Sequence, residues 1–248
     1  MQRYFIHADQ MGHDRVVILG DDAHHITKVL RAEPGYRFIV SDGEERDVLA
    51  EVESANKERV TARILEELER NHEPEIDVII AQSMPKGDKF ETVIQKCTEI
   101  GAAAFVPFVS ERTVVQYDRK KEMKKLERWN RIAKEAAEQS GRNRIPEVQA
   151  PVTMKELLQK VPSFDRTIIC YEKGQDHSLK ALLKQVKSSA RPERKPIILL
   201  MIGPEGGFAP EEVHAATAAG ANAAGLGKRI LRTETAPIAA LTCILYEF

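Results

Sequence analysis

Short apolar runs separated by turn residues dominate the first seventy positions of the chain. They predict strands over 15–19, 36–41, 48–54 and 59–65. A single helix fits Ala23–Leu30, where Asp21 or Asp22 can cap the start. A small β-barrel buries strands of this kind without leaving open edges. We therefore predict an all-β first domain with one helix.

From about Asn71–Pro74 onward, apolar strands alternate with amphipathic helices. The strands are predicted over 76–81, 104–109, 166–171, 197–202 and 222–226. The helices are predicted over 86–100, 120–140, 154–161, 178–186, 210–219 and 235–248. Continuous apolar strands such as Ile197–Ile202 are typical of a parallel sheet covered on both faces. The pattern predicts two domains, 1–72 and 73–248, the second of α/β class.

Composition and charge narrow the class of protein. The chain has 248 residues, of which 42% are hydrophobic, and this content argues against intrinsic disorder. Residues 1–72 hold 10 basic and 15 acidic side chains, whereas residues 73–248 hold 27 and 23. Ten Lys and Arg residues fall within 119–144. That segment is either a phosphate-facing surface or a solvated helix with pairs such as Glu127 with Arg131.

The sequence disfavours a membrane span, a secretory signal, disulfide bonds and a metal site. No apolar run approaches the roughly 18 residues of a membrane span, and the N-terminus lacks a signal-peptide core, so we expect a cytosolic protein. Cys97, Cys170 and Cys243 lie far apart in apolar surroundings, which indicates reduced, buried thiols. No His/Cys cluster has metal-ligand spacing, and His24-His25 indicates local packing or RNA contact.

The stretch with the most chemical information joins the strand at 197–202 to a turn and then to a helix opened by Pro210. Three glycines within 203–207 let a ligand approach the backbone, at the strand end where α/β folds bind ligands. Phosphate-loop patterns are absent, and Glu205 and Glu211 place negative charge near the helix start. A neutral or cationic ligand fits better than a phosphate, and a purely structural turn is the alternative.

A second Gly-rich loop, Gly225–Ala236, follows the next strand in the same way. Two such loops after successive strands converge on one pocket. Thr233 or Thr235 can cap the final helix. Arg232 lies where it could reach a substrate oxygen or phosphate, and an ion pair with Glu234 is its alternative role.

Taken in order, these motifs resemble the RsmE family of 16S ribosomal RNA methyltransferases, members of the SPOUT superfamily that methylate a uridine at N3 with S-adenosylmethionine. The resemblance covers nearly the whole chain and depends on six blocks. They are QRYFI (2–6), HHITKVLRAEPGYRFIVSDG (24–43), KGDKFETVIQKCTEIGAAAFVPFVSERTVV (86–115), EAAEQSGRNRIPEV (135–148), IGPEGGF (202–208) and LGKRILRTETA (226–236). Six blocks in order are more specific than any single motif.

The resemblance implies a SPOUT-type α/β domain with a C-terminal trefoil knot, preceded by a PUA-like β-barrel that contacts RNA. Periodicity indicates nothing of the knot, and topology rules argue against it. Two chains would form a homodimer, and the final helix, apolar nearly all round, requires burial in its own domain or against a second subunit. The implied contacts of S-adenosyl-L-methionine are Tyr171, Glu172, Gly203, Pro204, Glu205, Gly207, Leu226, Gly227, Ile230 and Leu231.

Two residues are candidate catalytic groups. We expect Arg232 to stabilise the developing uracil anion, and Glu205 to act as a base or as a contact of the cofactor. The implied partner is 16S rRNA or the assembled small ribosomal subunit, without metal or membrane, and the target base leaves its stack. Phosphate contacts are expected from Arg3, Lys28, Arg31, Lys86, Lys89, Arg112 and Arg142.

Alternative functions differ in cofactor or acceptor. One is a SPOUT methyltransferase that acts on another RNA or another atom. This alternative stays open because the loops that bind the cofactor do not determine which RNA atom accepts the methyl group. Another is a non-catalytic RNA-binding protein, which the presence of both GPEGG and LGKRILRTETA disfavours. A nucleotide-phosphate enzyme is disfavoured by the missing Lys-Ser/Thr pair.

Overall fold

The chain forms two compact units. The computed structural model describes residues 1–114, 119–172, 177–189 and 193–248, without the side chains of 119–121, 177 and 189. Unit 1 combines Met1–Glu73 with Ala137–Ile145, and unit 2 combines Pro74–Ala136 with Pro146–Phe248. The predicted domains place 137–145 in the second domain, whereas the structure groups this segment with unit 1.

Unit 1 is built on a five-stranded sheet with the order β1-β3-β4-β5-β2. Its strands are β1 (Arg3–Phe5), β2 (Arg15–Leu19), β3 (Arg37–Ser41), β4 (Asp47–Ala55) and β5 (Arg59–Glu67). Strand β1 is parallel to β3, and the other pairs are antiparallel. Alternate residues such as Val16, Ile18, Phe38 and Val40 are fully buried in one core.

The four strands predicted for this part of the chain are confirmed, and β1 is an additional one. Within unit 1 the end strands β1 and β2 are not hydrogen-bonded neighbours, and closure of the sheet into a barrel stays a prediction. The helical segment consists of α1 (Gly20–His24) and a π-helix at His25–Val29. Leu19 is the N-cap and no side chain caps the helix, so the predicted cap by Asp21 or Asp22 is wrong.

Glu73 holds residues 137–145 in unit 1. Its carboxylate accepts hydrogen bonds from Arg142 Nη2 (2.5 Å) and Arg144 Nε (3.0 Å). The backbone N–H of Asn143 donates to the same carboxylate at 3.0 Å. Because Arg142 is only 3% exposed, this is a buried ion pair rather than a surface contact.

Asp47 forms a second buried polar cluster in the same unit. It is paired with Arg3, and it accepts hydrogen bonds from Ser41 Oγ (2.7 Å) and Asn143 Nδ2 (2.6 Å). Arg3 is 4% exposed and Asp47 is 1% exposed. Asn143 thus links residues 137–145 to β4 through its side chain and to Glu73 through its backbone N–H.

Unit 2 is an α/β unit with an eight-stranded parallel sheet. Its strands are β6 (Asp77–Ser83), β7 (Ala104–Val109), β8 (Glu147–Val148), β9 (Val152–Thr153), β10 (Arg166–Cys170), β11 (His177–Ser178), β12 (Ile197–Ile202) and β13 (Asn222–Gly225). Its helices are α2 (Lys89–Ile100), α3 (Arg119–Ser140, which ends in unit 1), α4 (Met154–Lys160), α5 (Leu179–Ser189), α6 (Pro210–Ala218) and α7 (Thr235–Glu247). The order of the sheet is β11-β13-β10-β12-β6-β7-β8, with β9 paired to β7. The predicted parallel sheet is confirmed.

Strand β12 lies at the centre of this sheet and is buried on both faces. Ile198–Met201 are all fully buried, which explains their uninterrupted apolar sequence. Leu199 packs in one cluster with Leu157 of α4 and Val213 of α6. Helix α7 packs against α2, β6 and β12, and its residue Leu241 is fully buried.

Strand β13 lies between β10 and β11, although both precede it in the chain. Strands β13, β10, β12 and β6 are consecutive neighbours, so the loops that follow them lie along one edge of the sheet. This order positions the candidate site.

The cysteines and the charged helix differ in part from the predictions. Cys97 is buried as predicted and Cys170 partly so, but Cys243 on α7 is exposed, which corrects the prediction of three buried thiols. On α3, Arg128 pairs with Glu91 (2.6 Å), and Arg131 pairs with Glu135 instead of Glu127. These pairs favour the solvated-helix interpretation for this part of α3.

No helix in the described ranges combines the length and apolar character needed to cross a membrane. In the same ranges, no group of three or more His, Cys, Asp or Glu side chains is placed to hold a metal ion.

Candidate active site

The loops after β10, β12 and β13 line one cavity of about 620 Å³ in unit 2. Every residue that the sequence assigns to the cofactor or to catalysis lies on its wall. These are Tyr171, Glu172, Gly203, Pro204, Glu205, Gly207, Leu226, Gly227, Ile230, Leu231 and Arg232. The structure therefore brings together residues up to 61 positions apart, as the two-loop prediction requires.

Several wall residues have no counterpart in the sequence prediction: Cys170, Phe208, Arg229 and Thr233. The position of Cys170 at the carboxyl end of β10 was the one signal that could have revealed it. Burial raises the pKa of its thiol to about 12, so Cys170 is a neutral wall residue and not a thiolate nucleophile. The ring of Phe208 stacks on that of Phe108, with centroids 6.3 Å apart.

Two glycines keep the turn after β12 close to the cavity. A Cβ atom on Gly203 would lie 3.2 Å from the Phe208 ring and 3.3 Å from the carbonyl carbon of Gly207. Gly207 has φ +65°, in the left-handed region that favours glycine. A larger residue at either position would displace the backbone that forms the wall.

Glu205 is held as a charged carboxylate at the cavity. It accepts hydrogen bonds from Lys89 Nζ at 2.8 Å and from the backbone N–H of Lys86 at 3.1 Å. Burial opposes ionisation, but these hydrogen bonds outweigh it and lower the pKa of Glu205 below its ordinary value. A carboxylate with a lowered pKa is a poor base, so the geometry favours a contact to a cationic ligand over proton removal.

Arg232 presents an exposed side chain at the cavity wall. Among the described residues, no ion pair or hydrogen bond of its guanidinium is found, including the alternative pair with Glu234. That carboxylate lies 3.8 Å from Lys89 Nζ instead. The backbone carbonyl of Arg232 accepts hydrogen bonds from the N–H groups of Thr235 (2.9 Å) and Ala236 (3.0 Å). Its backbone is thus anchored while its donors stay available.

The predicted cap of α7 by Thr233 or Thr235 is wrong. The N-cap is Glu234, and no side chain hydrogen-bonds to the helix start. The hydroxyl of Thr233 instead donates to the carbonyl of Gly203 at 2.7 Å. Thr233 therefore connects the two cavity loops, a role that a local capping pattern cannot indicate.

Two of the seven predicted RNA contacts are corrected by the structure. Arg3 and Arg142 are buried and paired with Asp47 and Glu73, so they do not present their charge to a phosphate. A count of basic residues cannot distinguish an exposed arginine from an arginine that is buried in an ion pair with a carboxylate.

The other five predicted RNA contacts are at least partly exposed. Lys28 and Arg31 are exposed in unit 1, and Lys86 and Arg112 are exposed in unit 2. Arg112 also donates to the carbonyl of Gly206 at 2.9 Å, next to the cavity. Lys89 is partly exposed and lines the cavity beside Glu205. His25, by contrast, bonds to Tyr4 at 2.9 Å, which confirms local packing for one member of the histidine pair.

Comparison with known proteins agrees with this geometry. The family described as RNA methyltransferase domain matches residues 72–245, and the RNA methyltransferase PUA domain matches residues 18–65. Ribosomal RNA small subunit methyltransferase E of Bacillus subtilis (strain 168) is 40% identical over 250 residues, covering 100% of this chain and 97% of the relative. The chain belongs to this family of RNA methyltransferases. The resemblance found in the sequence blocks is thereby confirmed, as is the PUA-like character of the N-terminal part.

Other members of the family extend the match to a solved structure. Ribosomal RNA small subunit methyltransferase E of Synechocystis sp. (strain ATCC 27184 / PCC 6803 / Kazusa) is 37% identical, over 98% of this chain and 76% of that protein. A crystal structure of the Neisseria gonorrhoeae ribosomal RNA small subunit methyltransferase E, bound to S-adenosyl methionine, is 32% identical with a TM-score of 0.84. The match covers 98% of this chain and 96% of that chain.

Proposed function

We propose that this protein transfers a methyl group from S-adenosyl-L-methionine to N3 of a uridine in the 16S rRNA of the small ribosomal subunit. The observation that carries the proposal is the single cavity that gathers all the sequence-predicted cofactor residues in a chain of this family. A family member of the same fold was crystallised with S-adenosyl methionine, which supports the choice of cofactor. An rRNA substrate implies a cytoplasmic protein.

The cavity suits the proposed cofactor in size and chemistry. Its volume of about 620 Å³ falls within the range of small-molecule sites. Apolar side chains such as Leu226 and Ile230 and the backbone of Gly203 supply contact area, and Glu205 supplies negative charge for a cation. The cofactor, when bound, supplies an electrophilic methyl group on a sulfonium.

Catalysis then depends on placing the uracil ring and stabilising its anion. Holding the nucleophilic atom near attack distance converts the reaction into an effectively unimolecular step. Arg232 carries donors with no partner among the described residues, and we assign them to a uracil carbonyl oxygen, where they stabilise the anion left when the N3 proton passes to solvent water. Glu205 is too weak a base to remove that proton, and we assign it to the sulfonium side of the cavity.

A trefoil knot and a homodimer are part of the proposal. Strand β13 is inserted between β10 and β11, and the loop after it returns to β6 through the hydrogen bond between Thr233 and Gln82. Both features support a threaded C-terminal segment. Helix α7 exposes Tyr246 (90%) and Cys243, which supports burial of this face against a second subunit in solution.

On unit 1, we assign Lys28 and Arg31 to RNA phosphates. Arg31 directly follows the end of the helical segment with φ +52°, a left-handed conformation usually taken by glycine, while the N–H of Ala32 donates to Ile26 O at 3.0 Å. This conformation costs about 1–2 kcal/mol in a non-glycine residue. The presence of a long cation at a strained position favours a role for its charge.

Removing these two charges tests the assignment. We expect Lys28→Ala/Arg31→Ala to weaken binding of 16S rRNA and to reduce the slope of log affinity against log salt by up to about 2, because each lost phosphate contact removes about 0.7–0.9. Fluorescence anisotropy across a salt series measures the slope. The matched control is Lys57→Ala/Arg59→Ala on exposed residues of the same unit, and equal slopes in both double variants contradict the assignment.

Transfer of labelled methyl tests the function itself. The two substrates are small ribosomal subunits and naked 16S RNA, both from cells that lack this protein. Each is incubated separately with the protein and labelled S-adenosylmethionine, and the modified base is then mapped. We expect label as N3-methyluridine at one site. Cofactor binding without transfer to either substrate contradicts this acceptor and directs the search to other RNAs. Absence of cofactor binding contradicts methyl transfer altogether.

A further inference from the structure

Gln82 lies at the carboxyl end of β6, fully buried behind the cavity that we assign to the cofactor. Its Nε2 donates to Thr233 Oγ1 at 2.9 Å and to the carbonyl of Ser83 at 3.0 Å. The Thr233 hydroxyl, which receives this hydrogen bond, donates in turn to the carbonyl of Gly203 at 2.7 Å. Gln82 Nε2 is also 3.4 Å from that carbonyl.

These bonds connect three segments that are far apart in sequence. Gly203 begins the turn after β12, whereas Thr233 ends the loop after β13 and is adjacent to Arg232. Both Gly203 and Thr233 line the cavity. The Gln82–Thr233–Gly203 chain therefore links two of the loops that form the cavity wall and fixes their separation.

The buried amide oxygen of Gln82 costs folding stability, which indicates a role other than stability. This oxygen has no hydrogen-bond partner in the described part of the chain. An unsatisfied buried acceptor destabilises a fold, which offsets part of the stability that the hydrogen bonds donated by this amide provide. An apolar residue would lose the amide donor to Thr233 and to the carbonyl of Ser83.

We propose that Gln82 and Thr233 are positioning residues for cofactor binding, which set the spacing of the Gly203–Gly207 and Leu226–Thr233 loops. The inference is conditional on the proposed function, since it takes the cavity as the S-adenosylmethionine site. Neither residue needs to touch the cofactor. Thr233 acts through the Gly203 carbonyl, and Gln82 acts through Thr233.

Hydroxyl and amide variants of the full-length protein test the proposal. Thr233→Val removes the hydroxyl at nearly constant shape, and we expect the Kd and KM for S-adenosylmethionine to rise about tenfold, with kcat at saturation within about threefold. Thr233→Ser keeps the hydroxyl and should restore the Kd to within about twofold of the unaltered protein. Gln82→Met removes the donor to Thr233 and to the Ser83 carbonyl together with the unsatisfied oxygen, and should weaken cofactor binding; Tm without cofactor separates this effect from a loss of stability.

The readouts are titration calorimetry with S-adenosylmethionine, steady-state kinetics and Tm without cofactor. Thr217→Val is the matched control, because the Thr217 hydroxyl donates to Val213 O within its own helix α6. The proposal is overturned if Thr233→Val binds the cofactor as tightly as Thr217→Val, or if Thr233→Ser is as weak as Thr233→Val. If the unaltered protein binds no S-adenosylmethionine, the proposed function fails rather than the positioning role.

Discussion

Replacing Arg232 by alanine should lower kcat for methyl transfer about 100- to 1,000-fold, with the Kd for S-adenosylmethionine changed by less than about twofold. The reason is that its guanidinium has no partner among the described residues, while its backbone is anchored at the start of α7. The donors are therefore available where charge develops on the uracil. Loss of one such donor in an anion-stabilising site costs a factor of this size.

Two further variants show whether charge or geometry matters at this position. Arg232→Lys keeps the charge but loses the planar fork of donors, so we expect it to restore only part of the lost kcat. Lys228→Ala removes an exposed cation from the same loop, away from the cavity wall, and should leave kcat unchanged. Single-turnover methyl transfer measures the step. Full turnover by Arg232→Ala at unchanged cofactor affinity would rule out the assigned role.

Replacing Glu73 by alanine should lower the free energy of unfolding by about 3–5 kcal/mol. The variant removes the carboxylate that accepts hydrogen bonds from Arg142, which is 3% exposed, from Arg144 and from the N–H of Asn143. Removing one partner of a buried ion pair costs far more stability than removing one partner of an exposed pair. Urea denaturation of the full chain measures the change.

The matched control is Glu53→Ala. Glu53 pairs with Arg15 at 2.8 Å, but the arginine side chain is 57% exposed, so this variant should cost no more than about 1 kcal/mol. Equal destabilisation by the two variants would contradict the importance of the Glu73 cluster.

The same carboxylate predicts a dependence on pH. Burial opposes ionisation of Glu73, but the hydrogen bonds and charges of Arg142 and Arg144 outweigh it and lower its pKa in the folded protein. Stability from this group is therefore complete above the ordinary glutamate pKa of about 4.3 and is lost as the pH falls toward the folded pKa. We expect the difference in unfolding free energy between the unaltered protein and Glu73→Gln to shrink below about pH 4.

Periodicity in the sequence was enough for most of the elements and for the place of the site. Short apolar runs between turn residues marked β2–β5, and uninterrupted apolar runs such as 197–202 marked central strands of a parallel sheet. Glycines after β12 and β13 marked the cavity, because loops at the carboxyl ends of neighbouring strands meet. These inferences succeed because each depends on residues that are close in the chain.

Tertiary structure alone decided which charges are available and how distant loops are joined. Arg3 and Arg142 have the same sequence signature as Lys28 and Arg31, yet burial against Asp47 and Glu73 removes them from the surface. The bonds from Gln82 to Thr233 and from Thr233 to Gly203 span 151 and 30 positions.

The grouping of residues 137–145 with unit 1 and the exposure of Cys243 were equally hidden from the sequence. Local patterns of apolar and polar residues predict which way a side chain faces within its own helix or strand. They do not report which distant partner covers it, and that partner determines whether an arginine binds a phosphate or a buried carboxylate.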